Sequence, residues 1–370
     1  MRIIVTGGGT GGHIYPALAI AQGLLARYGD VKILYVGTKK GMEAKIVPEQ
    51  GLDFRGIAGK GLPRRLSIEL LKTTGLNIKA LWETKRILKE FKPDLVIGTG
   101  GYVTGPVVIT AAFFGIPTLI HEQNALPGKT NKLLARVVKK VLVAFPESTR
   151  HFKNRRKVKV VGLPVREEIG KLRRETGAEK LGLDPEKKTL LVTGGSRGAL
   201  SINKALIYVL EQLRAYPNLQ LIWATGTATH KQILEEMSAK GIDKERFKNW
   251  QIVEYLTEMP AALACSDLCI CRAGATTLAE LSVAGKASVL IPYPYAAENH
   301  QEYNAKVFED RGAAKVILDE ELEGPVLWAA IRSIITDQNA LDKMSARAKE
   351  IFDPQALEKI VRLCRQTAWR

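Results

Sequence analysis

The stretch VTGGGTGGH, Val5 to His13, ends in a histidine, the side chain whose ionisation lies nearest neutral pH and so a natural carrier of a proton in a reaction. A second stretch, VTGGSRGAL from Val192 to Leu200, repeats the glycine pattern 187 residues later without a histidine. Glycines in such loops let backbone N–H groups approach an anion at a helix N-terminus, where the helix dipole favours negative charge. The pair points to an anionic ligand held by glycine loops, with acid–base chemistry at the first loop only. A histidine at a helix start is as often a cap or a satisfied structural group. Its place at the end of a glycine loop favours chemistry.

Each loop needs a strand before it and a helix after it. RIIV is apolar and β-branched, and IYPALAIAQGLL has apolar residues at helical spacing with Pro16 near its first turn. VKILYVGT, PDLVIGTGGYVTGPVVITAAFFG, IPTLIHEQN and KKVLVAF continue the alternation. KKTLLVTGGSRGALSINKALIYVLEQL restarts it, followed by LQLIWATG, WQIVEYL, DLCICRAG and ASVLIPYP. Strands alternating with helices predict parallel, doubly wound α/β sheets. The pattern breaks near VKVVGLPVREEI, which divides the chain into 1–162 and 163–351, two Rossmann-like domains with a ligand expected in the cleft between them. Neither loop carries G-x-G-x-x-G in register with an acidic residue ending the second strand; Thr38 and Lys39 stand where a dinucleotide site wants that acid, which disfavours an NAD enzyme.

The chain has 370 residues, 46% hydrophobic and 25% charged, ample for two cores. It starts MRIIVTGGG, without the pattern of a secretory signal. The longest apolar run, Val107 to Ile120, is 14 residues and too short to span a bilayer. A cytoplasmic protein is expected. Cys265, Cys269, Cys271 and Cys364 lack zinc-site spacing and read as core residues of a reducing compartment.

The formal net charge of +17 is one-sided. Residues 1–162 hold 27 Lys and Arg against 10 Asp and Glu, whereas residues 163–370 hold 28 of each. The stretch LSIELLKTTGLNIKALWETKRILKEF sets Leu70, Leu71, Leu76, Ile78, Leu81 and Trp82 beside Lys72, Lys79, Lys85 and Arg86. Basic residues beside apolar ones predict docking to an anionic membrane surface; a solvated basic face on a core helix is the plainer alternative. Nucleic acid is not expected, because no RNA or DNA module signature appears and aromatics are only 6%.

Together GGTGGHIYPALAIA, GTGGYVTGP, HEQNALPGKTNK, VGLPVR, VTGGSRGA, CRAGATTLAEL and PYPYAAENHQEYNA, in this order from Gly8 to about Ala305, resemble the MurG family. The resemblance implies a GT-B glycosyltransferase fold and an inverting hexosyltransferase of peptidoglycan synthesis. It would move N-acetylglucosamine from UDP-N-acetylglucosamine to the muramyl sugar of the undecaprenyl-diphosphate muramyl-pentapeptide, lipid I, forming lipid II at the cytoplasmic face of the membrane. The first domain would face acceptor and membrane, with residues 352–370 packing back on it. The second would bind the donor.

On the same footing His13 matches a general base, with Glu122 or a water relay next in line. Thr10, Gly11 and Gly12 face the transferred sugar and Asn124 contacts it. Arg166 and Ser196 bind the donor, Arg166 having a hinge ion pair as its alternative. Leu256 offers its main chain to the uracil edge. Ala275, Thr276 and Thr277 meet the diphosphate, and Glu280 accepts the ribose hydroxyls. Gln301 holds sugar hydroxyls, with His300 as the alternative. Leu163 departs from the G-N-P-V-R of many relatives. No D-x-D occurs, so no metal and no cofactor are expected, and fixed dipoles would carry the leaving-group charge. Rival readings are another GT-B enzyme acting on a membrane glycolipid, a UDP-sugar epimerase and a non-catalytic nucleotide-sugar sensor.

Overall fold

A computed structural model describes residues 1–61, 68–242 and 250–369. Its chain forms two compact units, one of Met1–Val165 with Asp353–Arg370 and one of Arg166–Phe352.

In the first unit β1 (Arg2–Thr6), β2 (Lys32–Thr38), β3 (Phe54–Ile57), β4 (Leu95–Gly98), β5 (Thr118–Glu122), β6 (Lys140–Val143) and β7 (Val158–Val160) make one sheet. Its order is β3-β2-β1-β4-β5-β6-β7, with every neighbouring pair parallel. Helices cover both faces, so the central strands are apolar on both sides. Ile3 and Val5 pack into a core with Ala17, Leu18 and Ala21 of the helix Gly11–Arg27. Ile4, between them in sequence, points the other way into a core with Val107 and Val108 of the helix Thr104–Phe113. The helix Ala356–Ala368 belongs to the first of these cores through Ile360, Val361 and Cys364.

In the second unit β8 (Lys188–Thr193), β9 (Leu219–Ala224), β10 (Trp250–Val253), β11 (Leu268–Cys271), β12 (Ala287–Leu290) and β13 (Ala314–Val316) make a parallel sheet of order β10-β9-β8-β11-β12-β13. Its core joins Leu190 and Val192 to the helices Leu200–Leu213 and Gly324–Ile335. All four cysteines are buried; burial pushes the Cys269 thiol up to about 11 and Cys364 to about 12. They stay protonated and behave as small apolar groups.

In both sheets the strand order reverses beside the first strand, between β1 and β4 and between β8 and β11. Ligands of doubly wound sheets bind past the carboxyl ends of the strands at such a point. The glycine stretches lie there.

Candidate active site

Past the switch point of the first unit, the loop after β1 meets the loop after β4. Gly8 N–H donates to Gly100 O at 3.4 Å. Gly101 has φ +82°, and a Cβ on it would lie 2.1 Å from Gly8 O, so both conformation and contact require glycine. Thr10 is extended, and its carbonyl accepts from His13 N–H and Ile14 N–H at 3.1 Å, which starts the helix Gly11–Arg27. Gly11, Gly12 and His13 form its first turn.

Beneath the loop lies a residue whose role sequence reasoning missed. Glu43 is fully buried. Its Oε2 accepts from Gly9 N–H at 3.3 Å, and its Oε1 from Thr38 N–H at 3.0 Å and Thr38 Oγ1 at 2.6 Å. The carboxylate ties the glycine loop to the end of β2. Tyr35 adds a bond from its hydroxyl to Gly7 O at 2.7 Å. Burial, reinforced by the charge of Glu43, raises the Tyr35 pKa and keeps that hydroxyl protonated.

His13 is half-buried, with Nδ1 3.1 Å from Thr99 O and 3.2 Å from Gln123 Oε1. The structure thus brings the first glycine loop, the loop after β4 and the HEQN stretch together at one ring. Glu122 is buried with both oxygens engaged. Oε1 accepts from Asn124 N–H at 2.9 Å and Asn124 Nδ2 at 3.2 Å; Oε2 accepts from Gly128 N–H at 3.1 Å and Asn131 Nδ2 at 2.9 Å. Those four donors make Glu122 the holder of this loop and of Asn124, a poor position for a base.

In the second unit Arg166, Gly195, Ser196, Glu254, Tyr255 and Leu256 line a cavity of about 110 Å³ at the ends of β8, β9 and β10. Three residues singled out in the sequence, Arg166, Ser196 and Leu256, meet there. Ser196 O accepts from Thr227 N–H at 3.1 Å, which pins the loop after β8 to the loop after β9. Ala275, Thr276 and Thr277 make the first turn of the helix Ala275–Ala284, with extended Gly274 before it, so that turn carries unbonded helix-start N–H groups. Glu280 lies further along the helix. Its Oε1 accepts from Arg166 Nε at 3.1 Å and Nη2 at 2.8 Å. Arg166 thus pairs with Glu280, another of the candidates, within the second unit. Burial raises the Glu280 pKa and the Arg166 charge pulls against it.

Gln301 opens the helix His300–Asp310; its Oε1 accepts from Tyr293 N–H at 3.0 Å, which leaves its amide NH2 to donate. His300 Nδ1 donates to Ala297 O at 2.7 Å.

A different surface of the first unit is apolar and basic. The helices Ile68–Phe91 and Thr104–Phe113 expose Leu76, Ile78, Leu81, Trp82 and Phe113, with Phe114 following; Trp82 is 66% and Phe113 86% exposed. Lys85 Nζ sits 5.1 Å from the Trp82 ring and 5.9 Å from Phe114. The side chains of Leu70, Leu71 and Lys72 lie outside the described ones. Among the described residues no helix is long and apolar enough to cross a membrane.

Sequence comparison matches residues 3–143 to the glycosyltransferase family 28 N-terminal domain and residues 189–360 to the family 28 C-terminal domain. A protein of Desulfitobacterium hafniense (strain Y51) is 60% identical over 370 residues, 100% of each chain. It is named UDP-N-acetylglucosamine--N-acetylmuramyl-(pentapeptide) pyrophosphoryl-undecaprenol N-acetylglucosamine transferase. The chain belongs to the MurG family. A relative of the same name from Desulforamulus reducens is 47% identical over 369 residues, covering 98% of this chain and 97% of its own. The crystal structure of Acinetobacter baumannii MurG is similar with a TM-score of 0.79 at 31% identity, each chain covered to 99%. The fold is GT-B, two Rossmann-like α/β units. UDP-GlcNAc 2-epimerase from Neisseria meningitidis has a TM-score of 0.64 at 15% identity, over 99% and 100% of the chains, and shares the fold alone. The MurG glycine loops, HEQN and CRAGATT all lie inside the two matched regions; Arg166 lies between them.

Proposed function

We propose that this chain transfers N-acetylglucosamine from UDP-N-acetylglucosamine to the muramyl sugar of undecaprenyl-diphosphate lipid I, forming lipid II. Identity of 60% along the full length of a protein carrying that name supports the reading most directly.

In the reaction the acceptor hydroxyl attacks the anomeric carbon while the bond from that carbon to the UDP oxygen breaks, with inversion. His13 takes the hydroxyl proton, a task suited to an imidazole near neutral pH. Thr10, Gly11, Gly12 and Asn124 bind the transferred sugar on the side of the first unit. The second unit holds the donor. N–H groups at Ala275, Thr276 and Thr277 face the diphosphate, where the helix dipole meets the growing charge without reorganising. Arg166 and Ser196 line the nucleotide cavity, the main chain at Leu256 reads the uracil, Glu280 takes the ribose hydroxyls and Gln301 the sugar hydroxyls. No metal is needed in this scheme.

The acceptor's headgroup is reached from the membrane surface. Trp82, Phe113 and Phe114, with Lys79, Lys85 and Arg86 around them, would sit in the headgroup layer on the cytoplasmic side, drawn there by anionic lipid.

Labelled UDP-N-acetylglucosamine mixed with lipid I in EDTA tests the proposal. Label in the lipid phase is the expected result. Donor binding without transfer would point to another acceptor, and no donor binding would overturn the site in the second unit.

A further inference from the structure

The structure assigns Gln123 and His121 as positioning residues for His13, the three side chains forming a hydrogen-bond chain whose direction is set by main-chain carbonyls. The inference rests on the reading of His13 as the base.

A carbonyl oxygen can only accept a hydrogen bond. Thr99 O lies 3.1 Å from His13 Nδ1, so Nδ1 carries the proton and the neutral ring has its lone pair on Nε2. Gly162 O lies 2.9 Å from His121 Nε2, so this second ring is protonated at Nε2 and has its lone pair on Nδ1. Gln123 stands between them. One end of its amide lies 2.8 Å from Thr99 O and 3.0 Å from His121 O, which identifies that end as the NH2. The lone pair of His121 Nδ1 lies 3.1 Å from the same nitrogen, whose two hydrogens are shared among these three acceptors. The other end is then the oxygen, 3.2 Å from the protonated Nδ1 of His13. Donor faces acceptor at every step, and the two histidines hold opposite tautomers.

The chain is sealed. Thr99, His121 and Gln123 are buried, and burial depresses the His121 pKa to about 4, so its ring stays neutral where His13 works. Gly100, at φ +111°, closes over the His13 ring; a Cβ there would fall 2.8 Å from Nδ1.

Two acceptors on one N–H hold the plane of the ring as well as its tautomer. When His13 takes a proton at Nε2, positive charge spreads to Nδ1–H, and both bonds strengthen as it develops. A base oriented by a third group is the general arrangement in acid–base catalysis, and here a neutral amide fills the third place.

Nitrogen NMR of the full chain carrying 15N-histidine tests the tautomers, with the two rings identified from spectra of His13→Gln and His121→Asn. His13 should show a protonated Nδ1 and an unprotonated Nε2, and His121 the reverse. The same tautomer in both rings overturns the inference. In Gln123→Leu, kcat should fall about tenfold with KM for UDP-N-acetylglucosamine unchanged, the effect of losing one oriented hydrogen bond. Unchanged kcat, or a loss appearing only in donor KM, removes Gln123 from the positioning role. The parent spectrum decides the tautomers whether or not that variant folds. Should His13→Gln keep near-parental turnover, the base reading fails, while opposite tautomers would still stand as measured.

Discussion

Arg166 and Glu280, 114 residues apart in the chain, meet in a two-pronged contact on a single carboxylate oxygen, Nε at 3.1 Å and Nη2 at 2.8 Å. If the anion accepts from the ribose, Glu280→Gln should raise KM for the donor roughly tenfold to a hundredfold with kcat little changed, since a hydrogen bond to a charged group is worth about 1.5–3 kcal/mol. Burial raises the Glu280 pKa and Arg166 opposes that, so Arg166→Ala should raise it further. Donor affinity of that variant should tighten as the pH rises through the acid range, where the carboxylate ionises. Titration calorimetry at several pH values reads this; an affinity flat with pH would remove Glu280 from the ribose.

Glu43 should prove as necessary to the glycine loop as any residue in it. Glu43→Gln replaces an acceptor with an NH2 that faces either Gly9 N–H or Thr38 N–H. One buried donor loses its partner, at a cost of about 1–3 kcal/mol in stability. Urea unfolding gives the cost. Turnover should fall with it, because Thr10 to His13 follow directly from Gly9.

The neutral His121 makes stability depend on pH. Its folded-state pKa of about 4 lies below the ordinary 6.5, so the unfolded chain binds the proton first. Stability from this residue is complete above about pH 6.5 and is lost as the pH falls toward 4, by about 3 kcal/mol over the whole range. His121→Asn keeps an acceptor toward Gln123 and has no such titration. Unfolding midpoints of parent and variant should diverge at pH 7 and converge near pH 4.5; parallel curves would contradict a buried neutral ring.

Trp82 and Phe113 offer the test of membrane docking. The pair Trp82→Ser and Phe113→Ser should cut sedimentation with anionic vesicles more than tenfold, since each exposed ring taken into an apolar phase gives about 1.5–3 kcal/mol. Binding of the soluble donor should stay at the parental level. Equal sedimentation of parent and variant would refute docking through this patch.

Much of the fold is readable in the sequence because β1, β2, β4, β8 and β11 have mainly apolar centres buried on both faces. β3, β7 and β13 are harder: FRGI, VKV and AKV are three or four residues long, lie at or near sheet edges and keep side chains in solvent. In the site, His13 and the loops are legible since a glycine loop must follow a strand. Glu43 is not, because GMEAK reads like any glutamate at a helix start and its partners come from the end of β2 and the loop after β1. Gln123 stands in a quoted motif, yet only the carbonyls of Thr99 and Gly162 reveal which way its amide points. The pairing of Arg166 with Glu280 depends on a sheet that brings distant segments together, which no local spacing encodes.

The helix Ala356–Ala368 completes the core of the unit that begins at Met1. On the ribosome, Met1–Val165 emerges well before Asp353, and the intervening residues take roughly ten to forty seconds to make at ~5–20 residues per second. Throughout that interval the apolar side of the helix Gly11–Arg27 lacks Ile360, Val361 and Cys364. The second unit, Arg166–Phe352, is contiguous and needs nothing made later. The half begun first is thus the half finished last, and the nascent chain carries an unfinished hydrophobic face for most of its synthesis.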